Sequence, residues 1–218
     1  MIMKSNKTYA VFGLGRYGLA VAKELVANGK EVIAVDNRQN IVNDAAAHLP
    51  VCKCADITDA EVISRLGIGS IDTVIVCMAS NLEASVMAIT LCKEAGVKTV
   101  IAKCANEMQQ KIMLRVGADQ VVFPEKESGE RLAKNLISSG FVDMISLSND
   151  VSMVEIDVRS EWIGKNLIEL NLRKKYGFNV VGVKKNGNVN VNINPEQIID
   201  ADTTLIVITN TANLKKLK

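Results

Sequence analysis

The stretch Tyr9-Ala10-Val11-Phe12-Gly13-Leu14-Gly15-Arg16-Tyr17-Gly18 decides the architecture of this chain. A short apolar run ends in Phe12, and G-x-G-x-x-G follows at Gly13, Gly15 and Gly18. Each glycine has its own task in such a loop. Gly13 permits a tight turn, Gly15 lets a phosphate approach the backbone, and Gly18 lets the next helix pack closely on its strand. That helix then offers free N–H groups and partial positive charge to an anion. The second apolar run ends in Val35-Asp36, eighteen residues beyond Gly18, where a carboxylate can accept hydrogen bonds from ribose hydroxyls. Arg16 places a guanidinium inside the loop, which suits bidentate contact with a terminal phosphate. An arginine in a solvent-exposed salt bridge is the alternative reading of that position.

Outward from the loop, short apolar runs alternate with amphipathic stretches. Strands are predicted at 9–12, 31–35, 51–54, 73–77, 99–102 and 120–123, and helices at 16–28, 38–48, 59–66, 81–95 and 107–116. Gly29, Gly96 and Gly117 follow the last apolar-periodic residue of three of these helices, as C-terminal glycines do. Such alternation predicts an α/β, Rossmann-like doubly wound parallel sheet with helices on both faces. A further helix is predicted over 125–139, ended by Gly140, and a short apolar segment over 141–147. Beyond Asp150 the texture changes to strands at 153–158, 179–183 and 205–209, with Asn186-Gly187 as a hairpin turn and Val189–Ile193 as an alternating strand. These residues predict a small α+β domain of roughly four strands, with the boundary near residue 145: a first domain over 1–145 and a second over 146–218.

The bulk properties exclude several classes of function. A net charge of +2, a pI near 8.2 and scattered basic residues argue against nucleic acid, and the terminal Lys215, Lys216, Lys218 group reads as a solvated tail. No secretory signal is visible and no apolar run reaches the ~20 residues of a membrane-spanning helix, so a cytoplasmic location is expected. The five cysteines, 52, 54, 77, 92 and 104, form no C-x-x-C pair, and with His48 as the single histidine no zinc site of usual spacing can be assembled. They read as small apolar residues in a reducing compartment.

A nicotinamide-dependent oxidoreductase would need an acid or base beside the cofactor. His48 falls at the end of the second predicted helix, away from the strand ends where ligands bind, and Tyr9, Tyr17 and Tyr176 have no Ser/Lys partner pattern. No G-x-S-x-G, H-E-x-x-H or G-x-x-x-x-G-K-[ST] occurs. A nucleotide site without a reaction partner suggests a sensor rather than an enzyme. A small NAD(P)-dependent oxidoreductase remains the alternative, and a free-standing nucleotide-binding protein is a third.

The sequence resembles the RCK family of potassium-channel and transporter regulators, most closely the TrkA/KtrA-like subunits, over nearly the whole chain. The resemblance runs through residues 11–18, Val35-Asp36, 97–103, the 116–122 run VGADQVV, the 124–129 run PEKESG, the 162–173 run WIGKNLIELNLR and Tyr176-Gly177. It implies a regulatory gating subunit, not an enzyme, in which ATP/ADP or NAD(H) switches potassium flux. The partner it implies is a TrkH/KtrB-like potassium-transporting membrane subunit. The chain would then pair through the 125–139 helix, assemble as an octameric ring and lie on the inner face of the membrane. Carried over to this chain, the nucleotide site comprises Gly13, Gly15, Arg16, Tyr17, Gly18, Asp36, Arg38, Asp56, Ala79 and Lys103. Arg16 would meet the terminal phosphate, Asp36 the ribose, and Arg38 and Asp56 the adenosine pocket. Lys103 would stand at the end of the fifth strand. Glu125 would help bind a divalent cation, Mg or Ca, bridging to the γ-phosphate, and it could equally complement a helix dipole. The second domain resembles the family's C-terminal ligand-binding and dimerisation lobe, which in some members binds cyclic di-AMP. Asn171, Arg173, Asn179 and Pro195 match its positions, whereas a histidine contact made in relatives is missing here.

Overall fold

The computed structural model describes residues 7–137, 141–148 and 150–217. The expected helix end at Ser139 and Gly140, and the terminal Lys218, lie outside them. The chain divides after Glu125 into two compact units.

The first unit alternates β1 (Thr8–Phe12), α1 (Arg16–Ala27), β2 (Glu31–Asp36), α2 (Gln39–Ala46), β3 (Cys52–Cys54), α3 (Ala60–Arg65), β4 (Thr73–Val76), α4 (Leu82–Glu94), β5 (Thr99–Lys103), α5 (Glu107–Arg115) and β6 (Gln120–Val122). All six strands are parallel, in the order β3-β2-β1-β4-β5-β6. This is the doubly wound order, with its reversal between β1 and β4. The strands read as continuous apolar runs because both faces are covered. All four residues of β4 are buried. Phe12, Val74 and Val76 point into one helix layer with Ile89 and Met113, while Val11, Leu14 and Ile75 point into the other with Ala34 and Ala45. Side-chain caps fix three helix starts: Asp59 accepts from the Glu61 N–H, Asn81 from Ala84 and Asn106 from Gln109. Gly29, Gly96 and Gly117 close α1, α4 and α5 with φ of 70°, 89° and 112°.

Helix α6 (Pro124–Ile137) begins at a proline, whose missing N–H costs nothing in a first turn. The second unit carries β7 (Phe141–Ser146), β8 (Val151–Asp157), α7 (Leu167–Leu170), α8 (Leu172–Tyr176), β9 (Asn179–Lys185), β10 (Asn188–Asn190) and β11 (Thr203–Asn210). Its antiparallel sheet has the order β10-β9-β11-β8-β7, five strands rather than the four expected. The fifth is β7, which pairs with β8 over Phe141–Ser146, so a boundary near residue 145 would cut a strand of this sheet. The division falls at the start of α6 instead. Asn186-Gly187 forms the hairpin turn with φ of 50° and 78°, as a type I′ turn requires. The strand expected over 189–193 stops at Asn190, because the Asn190 side chain accepts a hydrogen bond from the Asn192 N–H at 2.9 Å and turns the chain away. Trp162, 2% exposed, packs in this core with Leu170, Phe178, Leu205 and Val207 and lies 5.8 Å from the Tyr176 ring. Its neighbour Ile163 is 43% exposed.

Candidate functional site

The reversal of strand order at β1 and β4 leaves a cleft of about 230 Å³ over the carboxyl ends of the strands. Gly13, Gly15, Asp36, Arg38 and Asp56, all expected from the sequence, line it together. The other wall is Cys77, Met78, Ser80 and Asn81, at the end of β4.

The three loop glycines answer to three different demands. Gly13 sits at φ 87°, and a Cβ there would lie 2.8 Å from Met78 Cγ. A Cβ at Gly18 would lie 1.9 Å from the Gly13 carbonyl oxygen, so α1 packs against its strand only because Gly18 has no side chain. Gly15, at φ −64°, is the N-cap of α1, and a Cβ on it would meet nothing within 4 Å. No packing within the protein asks for a glycine at that position. The space in front of it opens into the cleft, and a cradle there fits a phosphate held by the N-terminus of α1.

Asp36 closes the opposite side. Its Oδ2 accepts from the Leu14 N–H at 2.8 Å and from Arg38 Nη2 at 3.3 Å. Its Oδ1 accepts from the Arg38 N–H and from Arg38 Nε, both at 3.0 Å. Burial pushes this carboxyl up, but the Arg38 guanidinium and the two backbone N–H groups outweigh it and hold Asp36 below its usual value. Asp56 Oδ1 accepts from the Thr58 N–H and hydroxyl at 3.0 and 2.7 Å, which shapes the loop after β3.

Arg16, Tyr17, Lys103 and Glu125 are not among the residues that line this cleft but gather beside the start of α1. Lys103 Nζ donates to Glu125 Oε1 at 2.6 Å and lies 5.6 Å from the Tyr17 ring centre. The Lys103 hydrogen bond, and more weakly the charge of Arg16, hold Glu125 below the usual carboxylate value. Glu125 supplies one carboxylate. Among the described residues no three His, Cys, Asp or Glu side chains cluster to hold a metal, so a cation here would draw its remaining ligands from phosphate oxygens. Ala79 is buried and its neighbours, not it, face the cleft. His48 is exposed just after α2. No disulfide joins the five cysteines; Cys92 and Cys104 are buried, while Cys54 is exposed. Burial pushes the Cys77 thiol, at the cleft wall, up to about 12, so it stays an unreactive thiol. The sequence reading missed Thr58, Met78, Ser80 and Asn81. Only Asn81, as a helix-capping residue before an apolar run, carried a signal that marks the position.

In the second unit Asn171 takes the left-handed conformation between α7 and α8, at φ 45°. Arg173 is exposed on α8, Asn179 opens β9, and the Pro195 carbonyl accepts from the Leu167 N–H. A cavity of about 250 Å³ in this unit, lined by Leu167, Lys185, Asn190, Asn194 and Asp200 among others, includes none of these four residues. No helix among the described residues is long and apolar enough to cross a membrane.

Known proteins fit both units. Residues 9–124 match the TrkA-N domain and residues 151–218 the TrkA-C domain. The chain is 35% identical to the Ktr system potassium uptake protein C of Bacillus subtilis, covering 98% of this chain and 96% of that protein. It is 32% identical to the Ktr system potassium uptake protein A of the same organism over the same shares. Among solved structures, the GsuK channel bound to NAD superimposes with a TM-score of 0.65 at 15% identity. That match covers 98% of this chain and 39% of the channel chain, and it speaks to the fold alone. A TrkA-N domain followed by a TrkA-C domain, with relatives of this identity along the full length, places the chain in the TrkA/Ktr family of potassium uptake proteins.

Proposed function

We propose that this chain is the nucleotide-binding gating subunit of a Ktr/Trk-type potassium uptake system, not an enzyme. The observation that carries the proposal is Gly15: a glycine that no packing or backbone angle demands, facing a cleft whose far side holds Asp36. Adenine nucleotides suit that cleft. The phosphates would lie on the N-terminus of α1, and the ribose on Asp36. ATP, ADP and NAD(H) share these parts, and a structural neighbour, the GsuK channel, was solved with NAD.

The switch would lie at the phosphate end. Arg16 and Lys103 would be the cations that distinguish phosphate number, and Glu125, hydrogen-bonded to Lys103, would be the carboxylate that brings Mg or Ca to a terminal phosphate. A nucleotide shifts a ring between two shapes only by its difference in affinity for them. In this reading the chain pairs through α6, assembles as an octameric ring and acts on a potassium-conducting membrane subunit from the cytoplasmic side. The TrkA-C unit would take cyclic di-AMP between two copies through Asn171, Arg173, Asn179 and Pro195. The oxidoreductase reading would need its acid or base from Asp36 or Asp56, the carboxylates that line the cleft, and both already accept hydrogen bonds from the protein's own groups.

Calorimetry with ATP, ADP, NAD and NADH tests the assignment. Arg16→Ala should weaken ATP by about tenfold, the worth of a charge-assisted hydrogen bond, and adenosine not at all. Equal ATP affinity in wild type and variant removes Arg16 from the site. Turnover of NADH with a keto or hydroxy substrate overturns the gating reading.

A further inference from the structure

The carboxylate expected to hold the ribose is fully engaged by the protein's own groups. A carboxylate offers about four lone-pair sites on its two oxygens. On Asp36 two of them are taken by backbone N–H groups, Leu14 on Oδ2 and Arg38 on Oδ1. These bonds tie the glycine loop to the end of β2 and belong to the fold. The other two are taken by the Arg38 side chain, Nε on Oδ1 at 3.0 Å and Nη2 on Oδ2 at 3.3 Å. Asp36 is buried, with 3% of its side chain exposed, whereas the Arg38 side chain is 59% exposed and free to swing into solvent. Nothing else in the described structure hydrogen-bonds to this carboxylate.

A ribose that is to donate to Asp36 must therefore first remove Arg38. When it does, two acceptor sites open, one on each oxygen, which is the number and placement that the two neighbouring hydroxyls of a ribose need. We infer that Arg38 is an intramolecular competitor for the ribose site: its guanidinium occupies both free positions of Asp36 and is displaced as a unit by a cis-diol. The inference rests on the nucleotide reading above and adds to it a residue that sets affinity and diol selectivity. It also reverses the sign expected of Arg38 as a direct wall of the adenosine pocket, because removing a competitor strengthens binding.

Uncharged probes separate this effect from the phosphates. Adenosine and 2′-deoxyadenosine would be titrated by NMR into the full chain as wild type, R38A, R38Q and R38K. An exposed ion pair is worth little, so R38A should bind adenosine about two- to fivefold more tightly than wild type. R38Q, whose single amide can fill one site only, should fall between them, and so should R38K with its single ammonium. The gain for 2′-deoxyadenosine should be smaller, since it can use one site fewer. Added NaCl screens the exposed pair and should strengthen adenosine binding to wild type while leaving R38A unchanged. Weaker adenosine binding by R38A, or the same salt response in both proteins, overturns the competitor role and makes Arg38 an ordinary ligand contact. Wild type that binds neither adenosine nor ADP overturns the nucleotide reading itself. Wild type that binds both, with R38A showing no gain, overturns only the inference about Arg38.

Discussion

At the scale of single residues, Gly15 and Gly18 separate a glycine kept for a ligand from one kept for packing. A methyl group on Gly18 would collide with the Gly13 carbonyl at 1.9 Å and press on Cys77 Cβ at 3.1 Å, and a backbone oxygen cannot move aside cheaply. Gly18→Ala should therefore cost about 1–3 kcal/mol of stability, as overpacking does, and disturb the loop as well. A methyl group on Gly15 meets no protein atom and needs no change of φ. Gly15→Ala should change stability by no more than about 1 kcal/mol, the gain through the unfolded chain being offset by the poorer N-cap, while weakening nucleotide binding. Thermal melts paired with ADP calorimetry read both effects. If Gly15→Ala binds ADP as wild type does, no phosphate passes over that position. The residue types of this loop were legible in the sequence because G-x-G-x-x-G directly after a strand has few other uses. The fourfold engagement of Asp36 was not legible. It depends on the return of the chain at Leu14 and on one rotamer of Arg38, which spacing alone does not specify.

Elements were readable where the hydrophobic period was strong. The six parallel strands and five helices of the first unit fall within a residue or two of their expected ends, since buried parallel strands and capped helices each leave a local mark. The second unit was harder. The edge of β10 was set by an Asn190 side chain, and β7 was won for the sheet by long-range pairing with β8. Helix α6 poses a different question, because two of its leucines are exposed. Leu132 is 60% exposed and Leu136 78%. They lie four apart and so share one helix face. A helix face of this kind is where the proposed dimer seam would be. Replacing both with Glu should change the stability of the isolated chain by no more than about 0.5 kcal/mol, as surface changes do. The same double variant should shift sedimentation toward the monomer. A variant that still sediments with wild type places the seam elsewhere.

On the scale of the whole molecule, the chain is two cores joined end to end in sequence, each with its own sheet, and the site described above belongs entirely to the first. Trp162 is the only tryptophan and lies in the core of the second unit, so its fluorescence reports that unit alone, whereas circular dichroism reports both. A ligand stabilises only the cooperative unit that binds it, by about 2.7 kcal/mol at a hundred times its dissociation constant. Saturating ADP should therefore raise the dichroism transition of the first unit and leave the Trp162 fluorescence midpoint where it was. A Trp162 midpoint that climbs with ADP by the full amount would mean that the two cores unfold as one. Nucleotide occupancy would then be felt directly in the TrkA-C unit of the same chain. If the midpoint stays fixed, the two units are thermodynamically separate within one chain. A gating signal would then have to travel through contacts between copies, which makes the α6 face, rather than the chain's own fold, the place to look for it.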